Sequence, residues 1–250
     1  MALHYDRPPV HWKLPPGEVH ICLVALITAP GGCSSLERIL SPDEHRRAEQ
    51  FHTVTLRDSF VASRAALRAA LGGCLRICPS RVALAYGSHG KPCVPGQRLR
   101  FNLSHSGDRA LIALALESEV GVDLEQIRPI AERDDIASRY FSLEERRDLL
   151  SLAPRERDRA FFTCWTRKEA YVKAAAAGLS LALNSFRVTV LPPEMPRLFT
   201  PGDPRTWSLY DVAWTRDFAA ALVCEGTPAM IQGWAFSGAD ACADYFAGQT

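Results

Sequence analysis

The sequence of 250 residues predicts an α+β protein built from two similar, pseudo-symmetric subdomains in one chain. Runs with the apolar pattern of strands and runs with the apolar pattern of helices occur in separate blocks along the chain. The order strand, helices, strands occurs twice, and the pattern breaks near residue 120. We therefore expect an N-terminal subdomain over residues 1–119 and a C-terminal subdomain over residues 120–250.

The first block opens with an apolar run over residues 20–28, which predicts a buried strand. Ser41 and Pro42 have the residue types of a helix start, followed by acids in the first turn. A longer helix is predicted over residues 55–71, ending at the glycine pair Gly72 and Gly73.

After this helix, the chain again shows strand patterns, then helix patterns and then strand patterns to near its end. The predicted strands of this part are 101–104, 110–116, 120–125, 207–214, 218–224 and 230–236, and the predicted helices are 130–140, 142–152 and 155–177.

Composition excludes several classes of protein. The net charge of +1 gives no general basic field for a nucleic acid. The apolar stretch over residues 19–29 is shorter than the ~20 residues that span a bilayer, and the prolines and acids before it are unlike a signal peptide. Among the eight cysteines, no spacing completes a zinc set, so we expect reduced thiols. These features predict a cytoplasmic protein that binds neither nucleic acid nor membrane.

Two acids end one predicted strand. Asp123 and Glu125 are two residues apart, so they project from the same face of a strand. Two such carboxylates repel each other unless a cation lies between them, and Mg²⁺ prefers oxygen ligands of this kind. Taken alone, the pair favours the simpler interpretation of a strand with a hydrated acidic face.

The long predicted helix carries Trp165, Lys168, Glu169 and Lys173. Glu169 and Lys173 are four residues apart and share a helix face. They predict either a surface ion pair contributing about 0.2–0.5 kcal/mol or a site in which Glu169 meets a metal or a proton while Lys168 and Lys173 hold phosphate oxygens.

Small polar residues form the segment from Asn102 to Ser106. Ser104, His105 and the neighbouring backbone N–H groups suit a bound phosphate, although a capped turn has the same composition. Lys91 follows Gly90 in a loop that could reach a second phosphate, without the pattern of a nucleoside-triphosphate loop.

Taken together and in order, these segments resemble the large, surfactin-type class of 4′-phosphopantetheinyl transferases. The resemblance spans about residues 40 to 183. The matching motifs are Gly90-Lys91-Pro92, Phe101-Asn-Leu-Ser-His-Ser106, Gly121-Val-Asp-Leu-Glu125, Phe141-Ser-x-x-Glu145 and Trp165-x-x-Lys-Glu-Ala-x-x-Lys173. Two positions depart from the family pattern, Ala176 and Ala182, which puts in doubt the shape of the following loop and the choice of carrier.

The resemblance implies transfer of the 4′-phosphopantetheine arm of coenzyme A to a serine of an apo acyl or peptidyl carrier protein, with coenzyme A bound in the cleft between the subdomains. It also implies a monomer that is a pseudo-dimer. It assigns Mg²⁺, with Mn²⁺ as a substitute, to Asp123, Glu125 and Glu169.

The same resemblance assigns the remaining contacts to coenzyme A. The implied phosphate contacts are Lys91, Ser104, His105, Lys168 and Lys173. Arg64 in the first place, and Arg46, Arg47 or Arg57 after it, would meet the adenosine end and its 3′-phosphate.

Charge suggests the roles in the reaction. Mg²⁺ would neutralise the diphosphate as 3′,5′-ADP leaves, and Lys168, Lys173 and His105 would add positive potential. Glu169 would remove the proton of the serine directly or through a water.

Two other functions fit parts of the pattern. A non-catalytic module that binds coenzyme A or a carrier would be expected to lack one of the three acids. A magnesium phosphotransferase acting on a nucleotide would be distinguished by a comparison of coenzyme A with ATP. The sequence leaves open whether the carrier serves fatty-acid, polyketide or nonribosomal-peptide synthesis.

Overall fold

The computed structural model describes residues 3–9, 11–26, 32–191 and 195–248. The strands in these ranges are β1 (Tyr5–Asp6), β2 (Glu18–Ala25), β3 (Ala85–Tyr86), β4 (Pro92–Cys93), β5 (Leu99–Ser106), β6 (Arg109–Leu116), β7 (Val120–Gln126), β8 (Arg187–Val188), β9 (Leu198–Phe199), β10 (Trp207–Asp211), β11 (Phe218–Glu225) and β12 (Met230–Phe236). The helices are α1 (Gly32–Glu37), α2 (Pro42–Ala48), α3 (Val54–Leu75), α4 (Arg133–Tyr140), α5 (Leu143–Ser151), α6 (Pro154–Ala175) and α7 (Ala239–Ala247).

The first sheet has the strand order β1-β12-β2-β6-β5. β2 and β6 are buried along most of their length, as their nearly continuous apolar sequence predicts. The long helix α3 and the C-terminal helix α7 pack together over one face of this sheet. Their apolar side chains form the core of the first subdomain.

The second sheet has the order β10-β11-β7, with both pairs antiparallel. Helix α6 packs across one face of β7 and β11, and aromatic residues such as Phe161, Phe162 and Tyr171 fill the core beneath it. The other face of the second sheet packs against the first sheet, and Val122, Leu222 and Ile21 belong to one buried apolar cluster there. The layers therefore run helix, sheet, sheet, helix.

The α+β class and the two-subdomain organisation are confirmed. One boundary is wrong: α3 does not end at Gly72 but continues to Leu75, and Arg76 ends it with φ 54°. The two glycines instead let Ile77 and Phe246 come close to the backbone of α3. A Cβ on Gly72 would lie 2.8 Å from Ile77 O, and one on Gly73 would overlap the ring of Phe246.

The C-terminal segment crosses the predicted division of the chain. β12 pairs in parallel with β2, between β1 and β2, and α7 packs on α3. The last part of the predicted C-terminal subdomain therefore belongs by pairing and packing to the first. The predicted end of the first strand, Thr28, lies outside the described residues.

Within the described ranges, no helix combines the length and the apolar character needed to cross a membrane.

Candidate active site

Side chains of β5 join the two sheets at the point where β5 meets β7. Asn102, Ser104 and Ser106 are spaced by two, so their side chains leave the same face of the strand. Each accepts a backbone N–H group of β7: Val122 N to Asn102 Oδ1 at 2.9 Å, Leu124 N to Ser104 Oγ at 3.3 Å and Gln126 N to Ser106 Oγ at 3.1 Å. Between β5 and β7, hydrogen bonds from backbone to side chain thus take the place of the usual backbone-to-backbone hydrogen bonds.

The two serines also orient the two strand acids. Ser104 Oγ donates to Asp123 Oδ1 and Ser106 Oγ donates to Glu125 Oε2, each at 2.8 Å. Ser104 was predicted to contact a phosphate, and its hydroxyl proton is directed at Asp123 instead. Ser106 was missed as a site residue, although its spacing from Ser104 repeats the spacing of the two acids.

Helix α6 packs close to these acids because the residue of β7 that faces the helix is a glycine. Gly121 is buried, and a Cβ there would overlap Ala170 O and Ala174 N of α6. The close contact brings Lys173 onto the acids: its Nζ lies 2.6 Å from Asp123 Oδ1 and 3.1 Å from Ser104 Oγ. Lys173 therefore pairs with Asp123 across the helix–sheet contact, and not with Glu169 on its own helix.

Three carboxylates share this region, and the pKa values of two of them, Glu169 and Glu125, are raised. Burial raises the pKa of Glu169, and the negative charges of Asp123 and Glu125 raise it further, against the effect of Lys173. Burial and the charge of Asp123 likewise raise the pKa of Glu125, which Ser106 partly offsets by its hydrogen bond. Such an arrangement favours binding of a cation.

Asp123 gives the sharpest sign of a cation site. Its carboxylate is 5% exposed, and its Oδ2 is buried without a hydrogen-bond partner among the described residues. Over the same ranges, no three His, Cys, Asp or Glu side chains are arranged as a complete metal-binding set. Mg²⁺ typically takes one or two carboxylates together with substrate phosphates and waters, so the carboxylates fit a magnesium ion that binds together with its substrate.

A cleft of about 530 Å³ lies beside the acids. Lys91 and Asn102 line it from the first subdomain, and Glu169 and Lys173 from the second. Its other lining residues are His89, Gly90, Pro92, Arg139, Tyr140, Val172, Ala176, Gly178, Leu181, Ala182, Leu183 and Asn184. The cleft thus combines cationic groups with an apolar wall.

Lys91 lies at the cleft but is already engaged. Its Nζ contacts Glu119 Oε2 at 2.7 Å, Val120 O at 3.0 Å and Ala174 O at 3.1 Å. These bonds tie the loop before β4 to β7 and to the end of α6. Burial lowers the pKa of Lys91, and Glu119 opposes that shift.

Lys168 does not reach the cleft, and the structure gives no support for its predicted phosphate contact. Its side chain is fully buried, and Nζ lies 2.8 Å from Glu145 Oε1, which is also fully buried. Carbonyl oxygens of Leu183 and Phe186 accept its other hydrogen bonds, at 2.8 and 2.9 Å. No room is left beside Nζ for a phosphate in this arrangement.

The predicted arginines do not line the cleft either. Arg64 contacts Glu44 of α2 at 2.6 Å, and Arg57 pairs with Glu37 and Asp58. Arg46 and Arg47 are exposed.

His105 is exposed at the end of β5, next to the serine pair. Partial burial of the ring, together with the positive charge of Lys173, lowers the pKa of His105. The imidazole is therefore neutral over more of the pH range than an isolated histidine.

Two family models match most of this chain. A family model described as the 4′-phosphopantetheinyl transferase superfamily matches residues 119–223, and one described as 4′-phosphopantetheinyl transferase, N-terminal, matches residues 32–117. The junction of the two matches falls between β6 and β7, where the chain passes from the first sheet to the second.

Similar proteins extend over most of the chain. The 4′-phosphopantetheinyl transferase HetI of Nostoc sp. is 35% identical over 225 residues, covering 88% of this chain and 92% of HetI. The 4′-phosphopantetheinyl transferase ffp of Bacillus subtilis is 31% identical, with 70% of this chain and 84% of ffp covered. Sfp of the same species is 31% identical over 60% of this chain and 66% of its own length.

Proposed function

We infer that this chain, which belongs to the 4′-phosphopantetheinyl transferase superfamily, transfers the 4′-phosphopantetheine arm of coenzyme A to a serine of an apo carrier protein and releases 3′,5′-ADP. The cleft between the two subdomains is the proposed site of coenzyme A. Its cationic and apolar lining suits a donor with phosphates at one end and a pantetheine chain at the other.

The observation that carries the site assignment is the unpartnered Oδ2 of Asp123, buried beside two further acids. A buried carboxylate oxygen without a donor is costly unless a cation meets it. We propose that Asp123, Glu125 and Glu169 hold Mg²⁺, with Mn²⁺ as a substitute. When bound, the ion would supply positive charge to the diphosphate of coenzyme A.

Glu169 is the proposed general base. Its carboxylate has no hydrogen bond or ion pair with another described residue, so it is open to accept a proton. It also lines the cleft, so a serine presented by the carrier protein could reach it.

Lys173 and His105 are the proposed contacts to the phosphates of coenzyme A. Lys173 lines the cleft and already lies on Asp123, so its charge balances one carboxylate and faces the donor. His105 lies close enough to Lys173 for the lysine charge to lower the pKa of the imidazole. The exposed Arg46 and Arg47 remain candidates for the 3′-phosphate, whereas Arg64 is engaged by Glu44.

A monomer is sufficient for this chemistry, because both walls of the cleft come from one chain. We also propose the cytoplasm as its location, since the buried cysteines Cys22, Cys164, Cys224 and Cys242 are reduced thiols.

The test is incubation with coenzyme A, Mg²⁺ and a panel of apo carrier proteins, with the carrier mass as the readout. Transfer is expected to add one phosphopantetheine to at least one carrier and to stop in excess chelator, and Mg²⁺ or Mn²⁺ should restore it. Transfer that persists in chelator would show the metal assignment to be wrong.

Glu169→Gln separates the base from the metal ligand. It keeps the size and one ligand oxygen, so coenzyme A should still bind while turnover falls by ~10²–10⁴-fold. Glu156→Gln, an exposed position on the same helix, is the matched control and should behave as wild type. Turnover of Glu169→Gln near the wild-type rate at saturating Mg²⁺ would exclude Glu169 as the base.

A further inference from the structure

Lys168 and Glu145 form an ion pair that solvent does not reach. Both side chains are fully buried, and Nζ lies 2.8 Å from Glu145 Oε1. The ammonium also lies 4.2 Å from the centre of the Phe186 ring. A buried ion pair of this kind costs desolvation and therefore needs a reason beyond stability.

Glu145 connects two pieces of backbone. Its Oε2 accepts the N–H of Ser142 at 2.7 Å, which closes the capping box at the start of α5. Its Oε1 accepts the N–H of Val188 at 2.8 Å, in β8. The start of α5 and the strand after the cleft wall are thus fixed to the same carboxylate.

Lys168 extends the same network to the wall of the cleft. Its Nζ donates to the carbonyl oxygens of Leu183 and Phe186, and Leu183 lines the cleft with its neighbours from 181 to 184. The next residue of α6 is Glu169, which also lines the cleft. One buried cation therefore sets the distance between the cleft wall and the turn of α6 that carries the proposed base.

We propose that Lys168 and Glu145 are positioning residues: the pair holds the cleft wall 181–184 against α6 and shapes the site for coenzyme A without Lys168 touching it. The effect of this pair on catalysis rests on the proposed function. Its effect on the cleft wall is tested separately, because the order of the wall backbone and the binding of coenzyme A are measurable without transfer.

Three variants test the proposal. Lys168→Met removes the cation and leaves Glu145 buried with an unbalanced charge. Lys168→Met combined with Glu145→Gln restores neutrality and keeps hydrogen-bonding groups at the centre of the network. Arg167→Met is the matched control: Arg167 is a buried cation on the same helix, and its partners, Thr189 and Asp211, lie outside the cleft.

Three quantities are measured for each variant: the melting temperature, hydrogen exchange over residues 181–188, and the affinity for coenzyme A by calorimetry. Lys168→Met should lower the melting temperature by roughly 10 °C, because breaking a buried pair leaves one charge uncompensated. It should also speed exchange in the wall and weaken coenzyme A binding by about tenfold or more, as a displaced binding wall does.

In the double variant, all three quantities should return toward wild-type values together. If Lys168→Met does not fold, the double variant is compared with wild type directly, and near-normal wall exchange and coenzyme A binding are expected. The control should lose stability while wall exchange and coenzyme A affinity stay near wild type.

Several results would overturn the proposal. A double variant with restored stability and wall exchange but weak coenzyme A binding would mean that Lys168 contacts the ligand. A double variant that recovers nothing would mean that charge balance does not hold the wall. If Lys168→Met binds coenzyme A with unchanged affinity, or if Arg167→Met loses as much affinity, the pair contributes only to the overall stability of the fold. Failure of wild type to modify any carrier would count against the proposed function and leave these three measurements valid.

Discussion

Replacement of Gly121 by alanine should separate α6 from β7 and disable the site. The added Cβ would overlap Ala170 O and Ala174 N and would lie 2.9 Å from Ala174 Cα. These are backbone atoms of α6, so no side-chain rotation relieves the contact and the helix itself must move. Carbon atoms attract at about 3.5 Å or beyond, so the contact with Ala174 Cα alone demands a shift of about 0.6 Å.

The size of both effects follows from that shift. Overpacking typically costs about 1–3 kcal/mol, which corresponds to a fall in melting temperature of about 2–12 °C for a chain of this length. The same movement carries Glu169 and Lys173 away from Asp123. Since a misplacement of about 1 Å can cost 10²-fold in rate, we expect transfer to fall by roughly tenfold or more.

The assay pairs thermal unfolding with carrier transfer at saturating Mg²⁺ and coenzyme A. Gly87→Ala is the matched control, because a Cβ there meets its nearest atom, Lys91 O, at 3.7 Å, an ordinary contact. It should match wild type in both measurements. Wild-type transfer in a destabilised Gly121→Ala protein would refute the idea that the spacing of α6 and β7 sets the site, and wild-type behaviour in both would refute the packing argument itself.

Three further perturbations test other parts of the structure. Ser106→Ala removes the hydroxyl that orients Glu125, so half-maximal transfer should need about 10–100-fold more Mg²⁺; an unchanged Mg²⁺ titration would contradict this role. Lys173→Met leaves the buried carboxylate of Asp123 without its cation. Transfer should therefore fall strongly, and the free energy of unfolding measured in urea should fall by about 1–3 kcal/mol. An unchanged unfolding midpoint would contradict the pairing. Burial lowers the pKa of His20 although Glu18 opposes the shift, so the unfolded chain binds the proton first and stability should fall as pH drops below about 6.5. His20→Gln should reduce that fall in melting temperature between pH 7.5 and pH 5.5, and an identical acid loss in wild type and variant would assign it to other groups.

Local patterns accounted for much of the fold. The capping signals at Ser41 were sufficient to place the start of α2, because a capping box involves atoms only three residues apart. The strand over Val120–Gln126 followed from its alternation, which also placed Asp123 and Glu125 on one side. Helix α7 was missed, although its buried residues at 239, 242, 243 and 246 have helical spacing.

Longer-range features were beyond that kind of prediction. The end of α3 was placed too early because glycines often end helices, whereas Gly72 and Gly73 are needed for close approach of the chain after the helix and of Phe246. The return of β12 to the first sheet involves a partner more than 200 residues away. No local signal specifies which sheet accepts a returning strand.

The sequence by itself determined the α+β class, the family and the identity of the acids, because these depend on residue types, local periodicity and motif order. Tertiary structure decided which partner each polar group meets. Lys168 and Lys173 belong to the same motif, yet five residues of α-helix turn them about 140° apart. One therefore points into the core, onto Glu145, and the other onto Asp123 at the cleft. The helix fixes that angle between them, but only the packing of α6 on β7 decides which of the two lysines faces the site.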